Sequence, residues 1–460
     1  MISSGLLRRF QAWLVTVVTQ EVKDDLARKA GWLDAAQERV SFELINGYLV
    51  QPDVELPAGH PRVSSASRLP RSMLLSSRLR NSSLLGVPVV LVTGRHADAA
   101  SIPPVRAAGR ELQPTKVFDT YWRFAAARQA VYEARISGQS PPWSDDPILG
   151  AYRFTNCYRA ADRVSQYLIT QVCYRGDLSW DEVFFRVLLF KIFNRVSTWR
   201  LLTSQLGQVT WKQYEHVTYN AVLGEALAAG ERLYSAAYIM PPPPLGEERK
   251  HSNHLRLLEL MMKDRAPQKV AEAPSMAAAF KVLAGYPGVG AFLAYQYLID
   301  LNYAAGLGFS EMDFVVPGPG AKDGIRKCFG AAADGIEAGV IRYMTDTQDE
   351  HFTRLGLRFA RLRGRRRLQL IDCQNLFCEV GKYARVAHPE ARGISGRTRI
   401  KQAYRRDPEP VSAWFPPKWG LNQEGPPPAS SGPDESLRDF PGRRRTARGY
   451  RHRHSHPVMF

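Results

Sequence analysis

Two features of this 460-residue chain have residue types and spacing that could do chemistry: a glycine-rich turn at 285–290 and an acid at 313. In Leu283-Ala-Gly-Tyr-Pro-Gly-Val-Gly-Ala-Phe-Leu293, Gly285 and Pro287 suit a tight turn. Gly288 and Gly290 let a backbone approach a ligand without a Cβ clash. The amides of Gly288, Val289 and Gly290 would then open an apolar helix over 291–303. Unpaired amides at such a helix start attract an anion, here a DNA phosphate. Such a contact positions a duplex and reads no sequence. Two apolar helices joined this way suggest a helix-hairpin-helix DNA-binding element; the alternative is a plain interhelical turn. Asp313 lies beyond the second helix and the Ala304–Gly308 turn. It is the candidate catalytic residue: a carboxylate in a partly dry cleft can stabilise developing positive charge or activate a nucleophile. The alternative is that Asp313 caps the next helix.

A second turn, Val316-Pro-Gly-Pro-Gly-Ala-Lys-Asp-Gly-Ile-Arg-Lys327, feeds a helix that carries Lys322, Arg326 and Lys327 in its first turns. It reads either as another phosphate cradle or as a loop with a solvated basic face. Asn156, Arg159, Asp162, Arg163 and Gln166 form a dense polar stripe. They make either a base pocket or an internal ion-pair network, in which buried charges have to be paired. Trp122, Tyr158 and Tyr167 read as core aromatics. The strings GxxxxGK[ST], HExxH, paired CxxC and GxGxxG followed by an acid are missing. The five cysteines are scattered, which points to a reducing compartment without a disulfide framework; Cys373 and Cys378 lack the further cysteines an iron–sulfur cluster needs and read as structural thiols. No metal or other cofactor is expected.

The elements that must position these residues are helices. Phe118–Arg135 carries aromatics at helical spacing and ends at Gly138–Pro142. Residues 155–169 read as one helix. Trp180–Leu202 is the most apolar helix and belongs at the centre of a bundle, with Lys191 and Asn194 interrupting its apolar run. Further helices are expected over 210–230, 231–239, 255–263, 276–283, 322–333 and 349–361, and a last ordered element over 368–383. Strand-like alternation is nearly absent from 115 to 385, so the fold class is all-α. Residues 1–114 are expected to be irregular and poorly ordered, with one short strand or apolar anchor at Val87–Val92. Residues 405–460 read as a disordered, Pro-, Gly- and Arg-rich basic tail. The helical domain is set at 115–404.

With 62 Lys+Arg against 44 Asp+Glu, the net charge is +18. That excess favours polyanionic partners, nucleic acid first. No apolar run reaches the length of a membrane span, so a membrane is not expected as a partner. The N-terminus is not read as a signal or transit peptide, because acids follow its apolar run at once. The expected location is nuclear for a eukaryotic source and otherwise cytoplasmic, not secreted.

Residues 115–404 resemble a known helical family. The matching stretches are Tyr121–Arg128, Thr155–Ile169, Leu189–Asn194, Gly285–Gly290, Asp313-Phe314 with Gly318–Arg326, and Cys378–Tyr383. They resemble the helical domain associated with phage 5-hydroxymethyluracil (5-hmdU) DNA kinases. That domain is related to the α-glutamyl/putrescinyl thymine pyrophosphorylases of the helix-hairpin-helix DNA glycosylase superfamily. The resemblance implies a DNA glycosylase-like fold handling thymine-derived, modified pyrimidines in duplex DNA. It also implies that Asp313 stands where that superfamily carries its catalytic aspartate. Phe292 stands where the bifunctional subclass carries a Schiff-base lysine, so only lysine-independent chemistry is expected. Kinase activity is not carried over, because the P-loop string is missing. Two readings follow: a glycosylase-like or base-modifying enzyme, or a non-catalytic module that reads modified pyrimidines or recruits a modifying enzyme.

Overall fold

The structure, a computed structural model, describes residues 102–237, 240–405, 413–422 and 425, together with three short strands earlier in the chain. The chain divides into two units, Met1–Ser101 and Ile102–Phe460. In the first, β1 (Glu43–Ile45) pairs antiparallel with β2 (Tyr48–Val50), and β2 pairs parallel with β3 (Leu91–Val92). β3 ends the apolar run in which one short strand was an expected alternative. The remaining expectations for residues 1–101, and those for the tail beyond 425, lie outside the described residues.

The second unit begins with a hairpin, β4 (Val105–Ala107) and β5 (Arg110–Leu112). Val105, Ala107 and Leu112 are buried, and Arg110 donates to the Asp334 carbonyl at 3.0 Å. The packed unit therefore begins upstream of the helices, within the stretch up to 114 that was expected to be irregular. Two three-residue strands give too little alternation to stand out in sequence.

Among the described residues fourteen α-helices follow: α1 (Lys116–Ile136), α2 (Pro147–Ala151), α3 (Arg163–Tyr167), α4 (Trp180–Phe193), α5 (Val196–Leu206), α6 (His216–Ala228), α7 (Lys250–Lys263), α8 (Ala266–Ala271), α9 (Met276–Ala284), α10 (Ala291–Leu301), α11 (Pro319–Phe329), α12 (Glu337–Asp346), α13 (Gln348–Arg354) and α14 (Leu370–Ala387). The all-α class holds.

α4 is the central helix, buried from Glu182 to Phe193. Each polar residue in it has a fixed task. The Glu182 carboxylate accepts the amides of Trp211 (2.6 Å) and Lys212 (3.1 Å). Arg186 donates to the carbonyls of Arg175 and Asp177. Lys191 pairs with Asp300 at 2.9 Å. Asn194, at φ 49°, ends the helix, a position an asparagine tolerates better than most residues.

The expected single helix over 155–169 is broken. Helix α3 starts at Arg163 and runs on into a wider helical turn over Leu168–Cys173. Upstream, side chains capture the backbone donors: Asp162 takes the Asn156 amide (2.7 Å) and Asp372 takes the Arg159 amide (2.8 Å). Such bonds compete with helix formation. Residues 231–237 are likewise not helical, whereas 368–383 extends into the long helix α14.

α11 and α14 lie against one another at glycines. A Cβ on Gly324 would fall 2.0 Å from the Phe377 carbonyl oxygen, and one on Gly381 3.0 Å from the Gly324 Cα. Residues 413–422, placed by sequence in a disordered tail, return to this unit. Phe415 is fully buried, and Trp414 and Leu421 are largely so. Two tryptophans and a phenylalanine within that short run carry enough apolar surface to dock, which the composition of the tail as a whole hides.

Candidate nucleic-acid interface

The hairpin forms as the sequence indicates, with α9 and α10 on either side of the Gly285–Gly290 turn. Gly288 has φ +74°, and a Cβ there would meet Pro243 at 3.0 Å. Part of its glycine requirement is thus packing against the 241–244 proline run. Tyr286 fixes the turn by donating to Asp264 at 2.6 Å. The Val289 amide donates to the Tyr286 carbonyl at 3.1 Å, and Val289 is buried. The expectation that this amide contacts phosphate is corrected: the turn itself consumes it. Gly288 and Gly290 are exposed. Gly290 is the extended N-cap of α10, with open space at its Cβ position. The geometry there suits an anion at the start of α10.

Asp313 is exposed on the turn between α10 and α11. Its amide donates to Ser310, its carbonyl accepts from Arg342 at 3.2 Å, and its carboxylate has no partner among the described residues. It caps no helix, because α11 starts at Pro319 after Gly318. The carboxylate meets solvent rather than the partly dry cleft anticipated for it. The buried acid of this turn is Glu311, which pairs with Arg366 at 2.8 Å. Its other oxygen, Oε1, is buried without a hydrogen-bond partner.

The second cradle is corrected. A Cβ on Gly318 would fall 2.5 Å from the Phe292 ring, one on Gly320 2.9 Å from Cys378 Sγ, and one on Gly324 inside the α14 backbone. These glycines serve helix packing, and no space for a ligand is left at Gly320 or Gly324. Arg326 is held by both Asp334 oxygens, and Lys322 faces Glu337 at 3.7 Å. The Lys327 ammonium is turned inward to the Gly381 carbonyl at 2.8 Å.

The polar stripe is an internal network rather than an open base pocket. Arg159 and Lys191 both pair with Asp300, at 2.6 and 2.9 Å. Burial would raise the Asp300 carboxyl, but the two cations hold it below the ordinary carboxylate value. Asn156 donates to the Ala161 carbonyl (2.8 Å) and accepts from Arg128. Asp162 holds the Asn156 amide, and burial pushes its carboxyl up to about 6. Gln166 donates to the Ala160 carbonyl and accepts the Trp414 amide at 2.8 Å. Below them, burial and then the neighbouring Glu311 carboxylate push Asp372 up to about 7.

A feature the sequence reading passed over borders this network. Six arginines stand among the ten residues Arg358, Arg361, Arg363, Arg365, Arg366, Arg367 and their neighbours, in a tight turn closed by pairing of Leu362 with Arg366. Arg358, Arg361, Arg363 and Arg365 are exposed. Arg366 lies 3.8 Å from the Trp419 ring centroid. Its signal in the sequence is the local density of arginine. Among the described residues no cluster of His, Cys, Asp and Glu could hold a metal ion, and no helix is long and apolar enough to cross a membrane.

A mostly helical unit with a glycine hairpin, a following acidic turn and an arginine-rich edge defines the class. The chain belongs to the family described as "5-hmdU DNA kinase, helical domain", whose model matches residues 115–393. A curated relative, the 5-hmdU DNA kinase of Bacillus phage SP10, is 26% identical over 288 residues, which cover 58% of this chain and 45% of that protein. The chain therefore spans less than half the length of that relative. No solved structure matches it.

Proposed function

We propose that this chain is a DNA-associated helical module that recognises 5-hydroxymethyluracil-containing duplex DNA. The observation that carries this reading is the coincidence of the family match, 115–393, with the packed helical unit. The net charge of +18 supports a polyanionic partner. Phosphoryl transfer, which the relative's name implies, is not assigned to these residues, since they hold no P-loop string. The test is fluorescence anisotropy of labelled duplexes containing either 5-hydroxymethyluracil or thymine, at one fixed ionic strength. Tighter binding of the modified duplex is expected. Binding that ignores the modification and disappears when residues 426–460 are removed would leave only a basic tail at work.

A second, catalytic reading rests on one observation: no other group among the described residues consumes the Asp313 carboxylate, although it stands in solvent rather than in a dry cleft. In that reading the anion assists lysine-independent chemistry at the sugar or at the modified pyrimidine. Asp313→Asn separates the two. Under the catalytic reading the unaltered chain changes or releases the base, as nucleoside mass spectrometry would report, and the variant binds DNA with turnover reduced by about 100-fold or more. If neither chain turns over while both bind, the module reading stands alone.

A further inference from the structure

We infer that the arginine turn at 358–367, rather than the second glycine turn, is the main contact surface for a DNA phosphate backbone. The inference deepens the proposed function and rests on it. Each arginine of the turn has a different share of its donors already committed. Arg361 and Arg367 share Asp349, at 3.0 and 4.0 Å, and Arg366 is held by Glu311. Arg358, Arg363 and Arg365 form no ion pair among the described residues.

Two of those three already engage neutral oxygen on the docked 413–422 segment. Arg363 donates to the Ala413 carbonyl at 2.8 Å and Arg365 to the Gly420 carbonyl at 3.4 Å. Each guanidinium has five N–H groups in a planar fork, so one bond to a carbonyl leaves further donors on an exposed side chain. That fork matches phosphate oxygens in pairs. Six arginines against the nearby acids Asp349, Glu311 and Glu133 leave an excess of positive charge, whose self-repulsion a polyanion relieves. Arg366, sandwiched between Glu311 and the Trp419 ring, anchors the turn instead of joining the surface.

The turn also has the right neighbour. The Arg366–Glu311 pair ties it to the turn that carries Asp313 two residues later, and Arg342 of α12 binds the carbonyls of Met312 and Asp313. Arg367 meanwhile donates to Thr345 and Asp346 at the end of that same helix. Helix α12 thus joins the arginine turn and the Asp313 turn.

The experiment compares the full chain with Arg358→Ala/Arg363→Ala/Arg365→Ala. A charge-matched control, Lys212→Ala/Lys263→Ala/Lys269→Ala, removes three exposed lysines of α7, α8 and the loop before α6. The probe is a labelled 5-hydroxymethyluracil duplex across a salt series, with circular dichroism confirming that all three chains are folded. The arginine variant should bind at least 10-fold more weakly, and its slope of log K against log salt should fall by about 0.9 for each lost phosphate contact. The lysine control should change little. Equal losses in the two triple variants, or unchanged affinity in the arginine variant, would overturn the inference while leaving the proposed function standing. An unmodified RNA duplex that competes as well as the DNA would reassign the surface to RNA. Absence of binding by the unaltered chain would remove the proposed function and this inference together.

Discussion

At Asp372 a carboxyl sits where burial and the Glu311 carboxylate both oppose its ionisation, so its value moves from 3.8 to about 7. It nevertheless fills two structural posts. It accepts the Arg159 amide, and its other oxygen accepts the Gln369 amide in the capping box that opens α14. A group whose folded value is raised contributes stability that is complete below the unfolded value and is lost as pH rises through the folded one. The wild-type chain should therefore lose stability relative to Asp372→Asn as pH is raised from about 4 to about 7, by on the order of a few kcal/mol. Urea denaturation of both chains across that range checks it, and parallel pH profiles would refute it. The same residue shows how far the sequence could be read. The polar stripe at 156–166 is visible as spacing, which fits an ion-pair network as well as a pocket. The acidic partners of Arg159, Asp300 and Asp372, lie far away in the chain, and nothing local marks them as partners.

Among the elements, α11 and α14 show why a glycine-rich string misleads. Pro317-Gly-Pro-Gly320 and Gly324 read as a phosphate cradle because glycine permits close approach of any backbone. The backbone that approaches is another helix. Gly324→Ala would force a Cβ into the Phe377 carbonyl, and overpacking of this kind costs about 1–3 kcal/mol or more. Gly290→Ala, with open space and an extended backbone at φ −70°, should shift stability by no more than about 1 kcal/mol. Thermal denaturation of the two variants distinguishes them, and an unaffected Gly324→Ala would mean that α11 and α14 are not so closely apposed. The hairpin between α9 and α10 was legible because its turn, its flanking apolar helices and its N-cap are all local.

In the unit as a whole, the chain closes on itself late. Trp414, Phe415 and Leu421 enter the core, Trp419 packs edge-on against Tyr303 at 5.8 Å, and the Lys418 ammonium donates to the carbonyls of Asn302, Ala304 (3.0 Å) and Leu307 (2.6 Å) beyond the end of α10. The stem of Lys418 stays exposed while its ammonium turns inward, and burial there lowers it to about 8. Phe415→Ala should cost about 3–5 kcal/mol, read from the urea midpoint of the full chain. A loss within about 0.5 kcal/mol, the range of an ordinary surface substitution, would show that this segment is dispensable to the core.

The all-α class, the central apolar helix, the glycine turn between two helices and the family are legible along the chain. These rest on periodicity, capping residues and motif order, which are properties of neighbours along the chain. Which polar groups remain available to a partner is settled by the packing of the folded chain. It committed the Val289 amide to its own turn, Arg159 to Asp300 and Asp372, and the second glycine run to a helix contact. It left the Asp313 carboxylate and the arginine turn exposed. Availability is what remains after distant residues have paired, and that pairing is set by packing in three dimensions rather than by spacing.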